Sequence, residues 1–129
     1  MDTRYLVDTG VFILYFRRQQ SAISFFRETT AVIYYARVTR KELLSPPIRE
    51  REKSEILTFL QQYRIVNTDP QIAEGFSLLL DKYAYLKDHL ADAVIAATAW
   101  KKGLAVVPTN SRHFTPIGEI SIKRFPEDF

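Results

Sequence analysis

The sequence predicts an α/β fold in which helices cover both faces of a mainly parallel sheet of four or five strands. Short apolar runs alternate along the chain with amphipathic stretches of helical length, a pattern typical of βαβ units. The run Leu104–Val107 is apolar throughout, as expected of a strand buried on both faces of a parallel sheet. A length of 129 residues and an apolar fraction of 47% suit a single domain, residues 1–129, with a core of its own.

The first strand is predicted at Tyr5–Val7, an apolar run that is too short for a helix and is followed by Asp8, Thr9 and Gly10. The apolar stretch Val11–Phe16 then continues into two arginines, at a length that suits a helix. This order puts Asp8 at the carboxyl end of a strand, where open α/β sheets bind ligands. The same residue could instead cap the helix or form an Asx turn with Thr9.

The rest of the chain repeats the alternation. Pro46 and Pro47 stop one helix, and Asp69 before Pro70 predicts a capped helix with proline at its first position. Gly103 is expected to end an alanine-rich helix. The further strands are predicted at Ala31–Tyr35, Arg64–Val66, Leu104–Val107 and, at the sheet edge, Glu119–Lys123, and the further helices at Ser21–Glu28, Val38–Leu44, Ile48–Tyr63, Pro70 to about Tyr83, and Ala93–Trp100.

Composition excludes several classes of protein. The chain has no cysteine, so neither a disulfide framework nor a thiolate metal site is available, which fits a reducing compartment. The N-terminus lacks a signal-peptide pattern, and no apolar run approaches the ~18 residues that would span a membrane. We therefore expect a cytoplasmic protein without membrane association. The net charge of +3 permits nucleic-acid binding without requiring it.

Three carboxylates stand where the predicted elements would bring them to one edge of the sheet. Asp8 leaves the first strand, Glu42 lies in the helix after the second, and Asp92 lies at the head of the alanine-rich helix before the fourth. Each also has a plainer interpretation, as a helix cap, a solvated side chain, or an acid placed against the helix dipole. Asp88 and His89 are expected to be loop residues without chemistry.

Together the three carboxylates would form a metal site whose ligands are hard oxygen atoms, because the chain has no cysteine and we expect no paired histidines. Oxygen ligands of this kind select Mg²⁺ or Mn²⁺ over zinc. Such ions among carboxylates suit phosphoryl transfer, where the metal activates water and neutralises the leaving oxygen.

Four segments carry a resemblance to a known family. They resemble the successive motifs of PIN domains, in the right order and spacing and over nearly the whole chain, and the nearest likeness is to VapC-type toxins of toxin–antitoxin pairs. The Asp92 segment is the most specific of them. The segments are Val7–Thr9, Val38–Leu44, Leu90–Ala99 and Thr109–Phe114.

The resemblance implies a three-layer α/β/α fold and a Mg²⁺- or Mn²⁺-dependent endoribonuclease that acts as a toxin. It also implies a homodimer that is silenced by a small cognate antitoxin protein, with RNA as substrate. Position by position, the family's first three acids map to Asp8, Glu42 and Asp92, which would be both metal ligands and catalytic residues. Supporting positions in the same motifs are Thr9, Thr109, Asn110 and Ser111.

Ser111 departs from the family pattern. Relatives often carry a fourth acid there, and serine supplies no charge, so a second metal site in particular should be weakened. A degenerate PIN domain that binds RNA or a protein partner without cleavage is therefore the main alternative.

Two other families share single features with the chain. A receiver-like regulatory domain would have the parallel sheet and would need a phosphoacceptor after the third strand, where Asp69 is available although Pro70 makes it look like a cap. Asp8-Thr9-Gly10 is also the active-site triplet of aspartic proteases, but that family needs an all-β chain with glycine-rich flaps, and this chain has four glycines.

The first two helices contain more aromatic side chains than a small core readily absorbs. We expect part of this set to be exposed and to favour the homodimer interface, the alternative being that most of it is core. The residues are Phe12, Tyr15, Phe16, Phe25 and Phe26.

Overall fold

The computed structural model describes residues 3–129 and contains a five-stranded sheet in which every pairing is parallel. The strand order is β3-β2-β1-β4-β5, so the first strand of the chain is the central one, as predicted. The strands are β1 Arg4–Val7, β2 Val32–Ala36, β3 Arg64–Val66, β4 Ala105–Val107 and β5 Ser121–Ile122.

Six α-helices surround this sheet and confirm the predicted α/β/α class. Two 3₁₀ turns, Ala84–Asp88 and Ser111–His113, flank the sixth helix and β4. None of the described helices is long and apolar enough to cross a membrane. The helices are α1 Thr9–Phe16, α2 Gln20–Glu28, α3 Arg37–Leu44, α4 Glu50–Leu60, α5 Pro70–Lys82 and α6 Leu90–Lys102.

Side-chain alternation along the central strand divides the interior into two cores. Tyr5 and Val7 point into a core with buried residues of α1, α2 and α4, whereas Leu6 points into a second core with buried residues of α5 and α6. Successive residues of a strand face opposite sides of a sheet, so one strand contributes to both cores. The result is three layers with β1 in the middle.

The predicted helix ends are correct where capping chemistry is explicit. Asp69 caps α5, because its Oδ1 accepts a hydrogen bond of 2.8 Å from the Ile72 amide, and Pro70 is the first helical residue. Gly103 ends α6 with φ of 66°, a left-handed conformation that favours glycine. Without such signals the prediction overshoots, since the helix predicted over Ile48–Tyr63 spans Glu50–Leu60.

The receiver-like alternative is wrong. Receiver domains have the strand order 2-1-3-4-5, whereas β1 and β4 are neighbours here and β3 lies at one edge. Asp69 is also engaged as a helix cap, and its Oδ2 accepts a hydrogen bond of 2.6 Å from Lys102 Nζ.

The expectation of exposed aromatic side chains in the first two helices is wrong for Phe12, Phe25 and Phe26. Phe12 is fully buried, and Phe25 and Phe26 are buried as well, while Tyr15 and Phe16 are partly buried and pack against the same core. The core absorbs these rings because four other aromatic side chains surround Phe12. Their ring centroids lie 5.1 to 6.5 Å from that of Phe12 and belong to Phe26, Tyr35, Phe59 and Tyr63.

Phe12→Ala should lower the free energy of unfolding by about 3–5 kcal/mol, because it leaves a cavity among these rings. Ile13→Ala is the matched control in the same helix, since Ile13 is 37% exposed, and it should cost less than about 1 kcal/mol. Urea unfolding of both variants measures the difference. Equal losses would contradict the placement of Phe12 at the centre of this core.

Candidate active site

The candidate site lies at the carboxyl ends of β1 and β4, which are adjacent in the sheet but far apart in the chain. Asp8 follows β1 directly, and its amide donates a 3.0 Å hydrogen bond to the carbonyl of Val107, the last residue of β4. The sheet here continues to one side through β2 and to the other through β4. Ligands of open α/β sheets bind at such a switch point.

Asp8 is a helix cap and a member of the carboxylate group at the same time. Its Oδ1 accepts a 2.8 Å hydrogen bond from the Thr9 amide at the start of α1. Burial, together with the negative charges of Asp92 and Glu42, raises the pKa of Asp8 to about 7, although the Thr9 amide and His113 act in the opposite direction. The predicted carboxylates are therefore near enough to repel one another.

Glu42 is held in place by a pair of threonines. Thr9 Oγ1 lies 2.8 Å from Glu42 Oε1 and 2.9 Å from Thr39 Oγ1, and both threonines are buried. A hydroxyl has one proton, and an ionised carboxylate only accepts, so Thr9 donates to Glu42 and accepts from Thr39. The turn after β1 thus orients an acid that α3 presents from beyond the neighbouring strand β2.

Asp92 lies in the first turn of α6 and is bonded to a histidine. His113 Nδ1 is 2.7 Å from Asp92 Oδ2, and the ring of His89 stacks on that of His113 with centroids 3.8 Å apart. These are the two histidines of the chain. The expectation that the site contains no paired histidines is therefore wrong, because α6 begins beside the turn that carries His113.

The sequence contained a signal for one of these histidines. His89 and Asp92 are three residues apart at the start of a helix, a spacing that puts side chains on one face. No comparable local signal connects His113 to Asp92, because their contact depends on the path of the loop after β4.

Among the described residues, the group of three potential metal-ligand atoms that all lie within 4.8 Å of one another consists of His89, Asp92 and His113. Asp92 and Glu42 both act electrostatically on Asp8, but the three carboxylates do not form such a group. A divalent cation relieves the mutual repulsion of neighbouring carboxylates, so the residues fit a divalent cation.

The loop after β4 brings Thr109 against the first turn of α1. A Cβ atom on Gly10 would lie 2.2 Å from Thr109 Oγ1, so only glycine allows this close approach. Asn110 caps the following turn, with its side chain 3.3 Å from the Arg112 amide, and the Ser111 carbonyl accepts from the amides of that turn. Thr109 therefore reaches the site, whereas the described contacts of Asn110 and Ser111 shape the loop itself.

Asp8→Asn should stabilise the metal-free protein at about pH 8 by roughly 1–4 kcal/mol. The pKa of Asp8 is raised from 3.8 to about 7, so the folded state binds the proton more tightly than the unfolded chain. The parent therefore loses stability as the pH rises from about 4 to about 7, and asparagine removes this loss while keeping an oxygen for the Thr9 amide.

Urea unfolding as a function of pH measures this difference. Asp88→Asn is the matched control, because it makes the same charge change at an exposed residue, and it should shift stability by at most about 0.5 kcal/mol at either pH. A pH-independent effect of Asp8→Asn would show that Asp8 ionises normally in the folded protein.

Comparison with known proteins agrees with the fold. A model of the PIN domain family matches residues 5–119. No curated protein sequence matches the chain. Similar solved structures are VapBC2 from Rickettsia felis bound to a DNA fragment from the promoter (TM-score 0.79, 14% identity, 95% of this chain and 99% of that chain), a toxin–antitoxin complex from Klebsiella pneumoniae (0.76, 23%, 92% and 95%), and DNA-bound VapBC from Salmonella typhimurium (0.75, 23%, 96% and 98%).

The solved structures share the fold over nearly their whole length, although their identities are too low to carry more than the fold. The family model spans most of the sequence, including the strand that leads to Asp8 and the helices that carry Glu42 and Asp92. The chain belongs to the PIN domain family.

Proposed function

We propose that this protein is a metal-dependent endoribonuclease that acts as the toxin of a toxin–antitoxin pair. The observation that carries the proposal is the carboxylate group at the carboxyl edge of a PIN-domain sheet, where burial and the charges of Asp92 and Glu42 raise the pKa of Asp8. Acidic groups crowded at a sheet edge lower their free energy by sharing a cation.

Each acid has a distinct task in this proposal. Asp8 and Asp92 would hold one Mg²⁺ or Mn²⁺ ion, which would supply positive charge to neutralise a phosphodiester and to activate water. Glu42 is oriented by Thr9 and accepts the proton of the attacking water. A hydrogen-bonded carboxylate of fixed orientation is suited to this task because proton transfer requires close approach in a defined direction.

The helix that carries Glu42 also offers positive charge for a polyanionic substrate. Arg37, Arg40 and Lys41 are exposed on α3 and line a groove with Thr68 and Val94. Cations of this kind bind the phosphates of nucleic acids without reading sequence. An RNA strand lying along this groove would follow the helix that carries Glu42.

The toxin role rests on the kind of complex in which similar folds are found. The Klebsiella pneumoniae structure is a toxin–antitoxin complex, and the Salmonella typhimurium structure is VapBC bound to DNA. By analogy we propose a small antitoxin protein as the partner of this chain. The proposed homodimer rests on the family resemblance, because Phe12, Phe25 and Phe26, which we expected at its interface, are core residues.

The alternative of a degenerate PIN domain is favoured by Ser111, which offers a hydroxyl in place of a fourth carboxylate. In that case the chain would bind RNA through the α3 groove and leave it uncut. The two functions differ in whether metal-loaded parent protein cleaves RNA at all.

Asp8→Asn and Asp92→Asn should each reduce cleavage of single-stranded RNA by at least about 100-fold, because each removes a charged metal ligand without changing side-chain size. Ser111→Asp should raise the rate at low metal concentration by adding a carboxylate to the loop after β4. The measurement is the cleavage rate as a function of Mn²⁺ and of Mg²⁺ concentration, with Asp88→Asn as the control of unchanged rate.

If Asp8→Asn cuts RNA as fast as the parent, the acidic site is not the catalyst. If the parent binds RNA but cuts none with either ion, the degenerate function is correct. Because Asp8→Asn is expected to fold at least as stably as the parent, unfolding does not explain a loss of rate.

Co-expression with the product of a short neighbouring reading frame should yield a stable complex with suppressed ribonuclease activity.

Light scattering of the chain alone at micromolar concentration should give twice the mass of one chain. A monomer would contradict the homodimer, and a neighbouring product that neither binds nor inhibits would contradict the toxin role while leaving the nuclease intact.

A further inference from the structure

The two histidines of this chain lie 24 positions apart in sequence and meet at one carboxylate. We propose that His89, Asp92 and His113 bind a first-row transition-metal ion, such as Mn²⁺, Co²⁺ or Zn²⁺, in preference to Mg²⁺. The inference rests on the proposed function in that Asp92 is common to both, and the ion proposed here lies on the histidine side of Asp92. Ion binding can nevertheless be measured without any cleavage.

The three residues come from two elements that are tied together. His89 immediately precedes α6, Asp92 lies in its first turn, and His113 ends the turn Ser111–His113. The hydroxyl of Tyr85 donates a 2.6 Å hydrogen bond to the His113 carbonyl, which anchors that turn to the turn preceding α6. The cluster is therefore assembled by the fold before any ion arrives.

The spacing of the ligand atoms suits one ion after a small adjustment. One ligand atom from each residue lies within 4.8 Å of the others. Around an ion with bonds of about 2.1 Å, ligand atoms are about 3.0–3.5 Å apart, so movements of about 1 Å close the site. All three side chains are partly exposed, with Asp92 at 23% and His113 at 26%, so rotation does not disturb the core.

The hydrogen bond between His113 and Asp92 already holds two of the three groups together. His113 Nδ1 and Asp92 Oδ2 lie 2.7 Å apart, so a cation that binds both atoms would take the place of the proton that they share.

Two imidazoles and one carboxylate select for transition metals. Imidazole nitrogen binds Mn²⁺, Co²⁺ and Zn²⁺ with increasing strength, whereas Mg²⁺ prefers oxygen ligands and retains its water. The positive end of the α6 dipole opposes a cation, but its charge of roughly +0.5 is smaller than the full negative charge of Asp92. The imidazole nitrogens thus provide metal ligands in a site where Ser111 does not provide a carboxylate.

Nuclear magnetic resonance of the imidazole nitrogens tests this directly in the tag-free, metal-stripped full chain. Two histidines give two sets of signals, and a single His89→Gln variant assigns them. Both sets should shift on addition of Zn²⁺ and saturate at one equivalent, while Mg²⁺ in large excess should leave them unmoved. Imidazole signals that stay unmoved at saturating Zn²⁺ would overturn the proposal.

Calorimetric titration with Co²⁺ provides the second measurement. His89→Gln, His113→Gln and Asp92→Asn should each weaken Co²⁺ binding by at least about 10-fold, the effect expected of a lost ligand. Asp88→Asn is the matched control, because it removes one negative charge next to His89 without removing a ligand, and its affinity should equal that of the parent. Equal Co²⁺ affinity in the parent and both histidine variants, or equal affinity of the parent for Mg²⁺ and Co²⁺, would overturn the proposal.

The outcome is separable from that of the nuclease test. If the histidine variants lose Co²⁺ binding but no RNA is cleaved by the parent, the metal site stands and the nuclease proposal fails. If Mg²⁺ supports full cleavage and the imidazoles never engage an ion, the nuclease proposal stands and the histidine site fails.

Discussion

Burial of the Asp8 carboxylate at the end of the central strand is the constraint on which the site depends. The strand that leads to it contributes side chains to both cores and the Asp8 amide is bonded to β4, so the position of Asp8 is fixed by the sheet. Desolvation and the two neighbouring acids make its charged form costly, and the pKa near 7 expresses that cost. The site is thus ready for a proton or a cation, and the surrounding structure must supply the stability that it gives up.

The aromatic core beneath α1 is the evident source of that stability. The helix capped by Asp8 carries Phe12, which is surrounded by four other rings. A short helix of eight residues with little amphipathic pattern is anchored by this packing rather than by its own propensity. Asp8, whose burial costs stability, and Phe12, whose packing recovers it, are therefore only four residues apart in the sequence.

How far the sequence could predict this arrangement depends on the range of each interaction. Local sequence was sufficient to predict the helix cap at Asp69 and the helix end at Gly103, because both features depend only on neighbouring residues. The parallel sheet and the position of Asp8 followed from short-range periodicity. Burial of Phe12 and the contact between Asp92 and His113 could not be predicted, since both depend on contacts between segments that are distant in the sequence.

The unexpected histidines change how the neutral residue at Ser111 should be interpreted. A serine in place of an acid suggests a lost function if carboxylates are the only metal ligands of the site. The structure contains another potential ligand, because His113 lies two residues further along the same loop and contacts Asp92. A nitrogen donor binds a transition metal without adding negative charge, and so avoids further repulsion against a carboxylate whose ionisation is already costly. Substitution at one ligand position is therefore compatible with a change of ion, and the absence of the fourth acid does not by itself imply an inactive site.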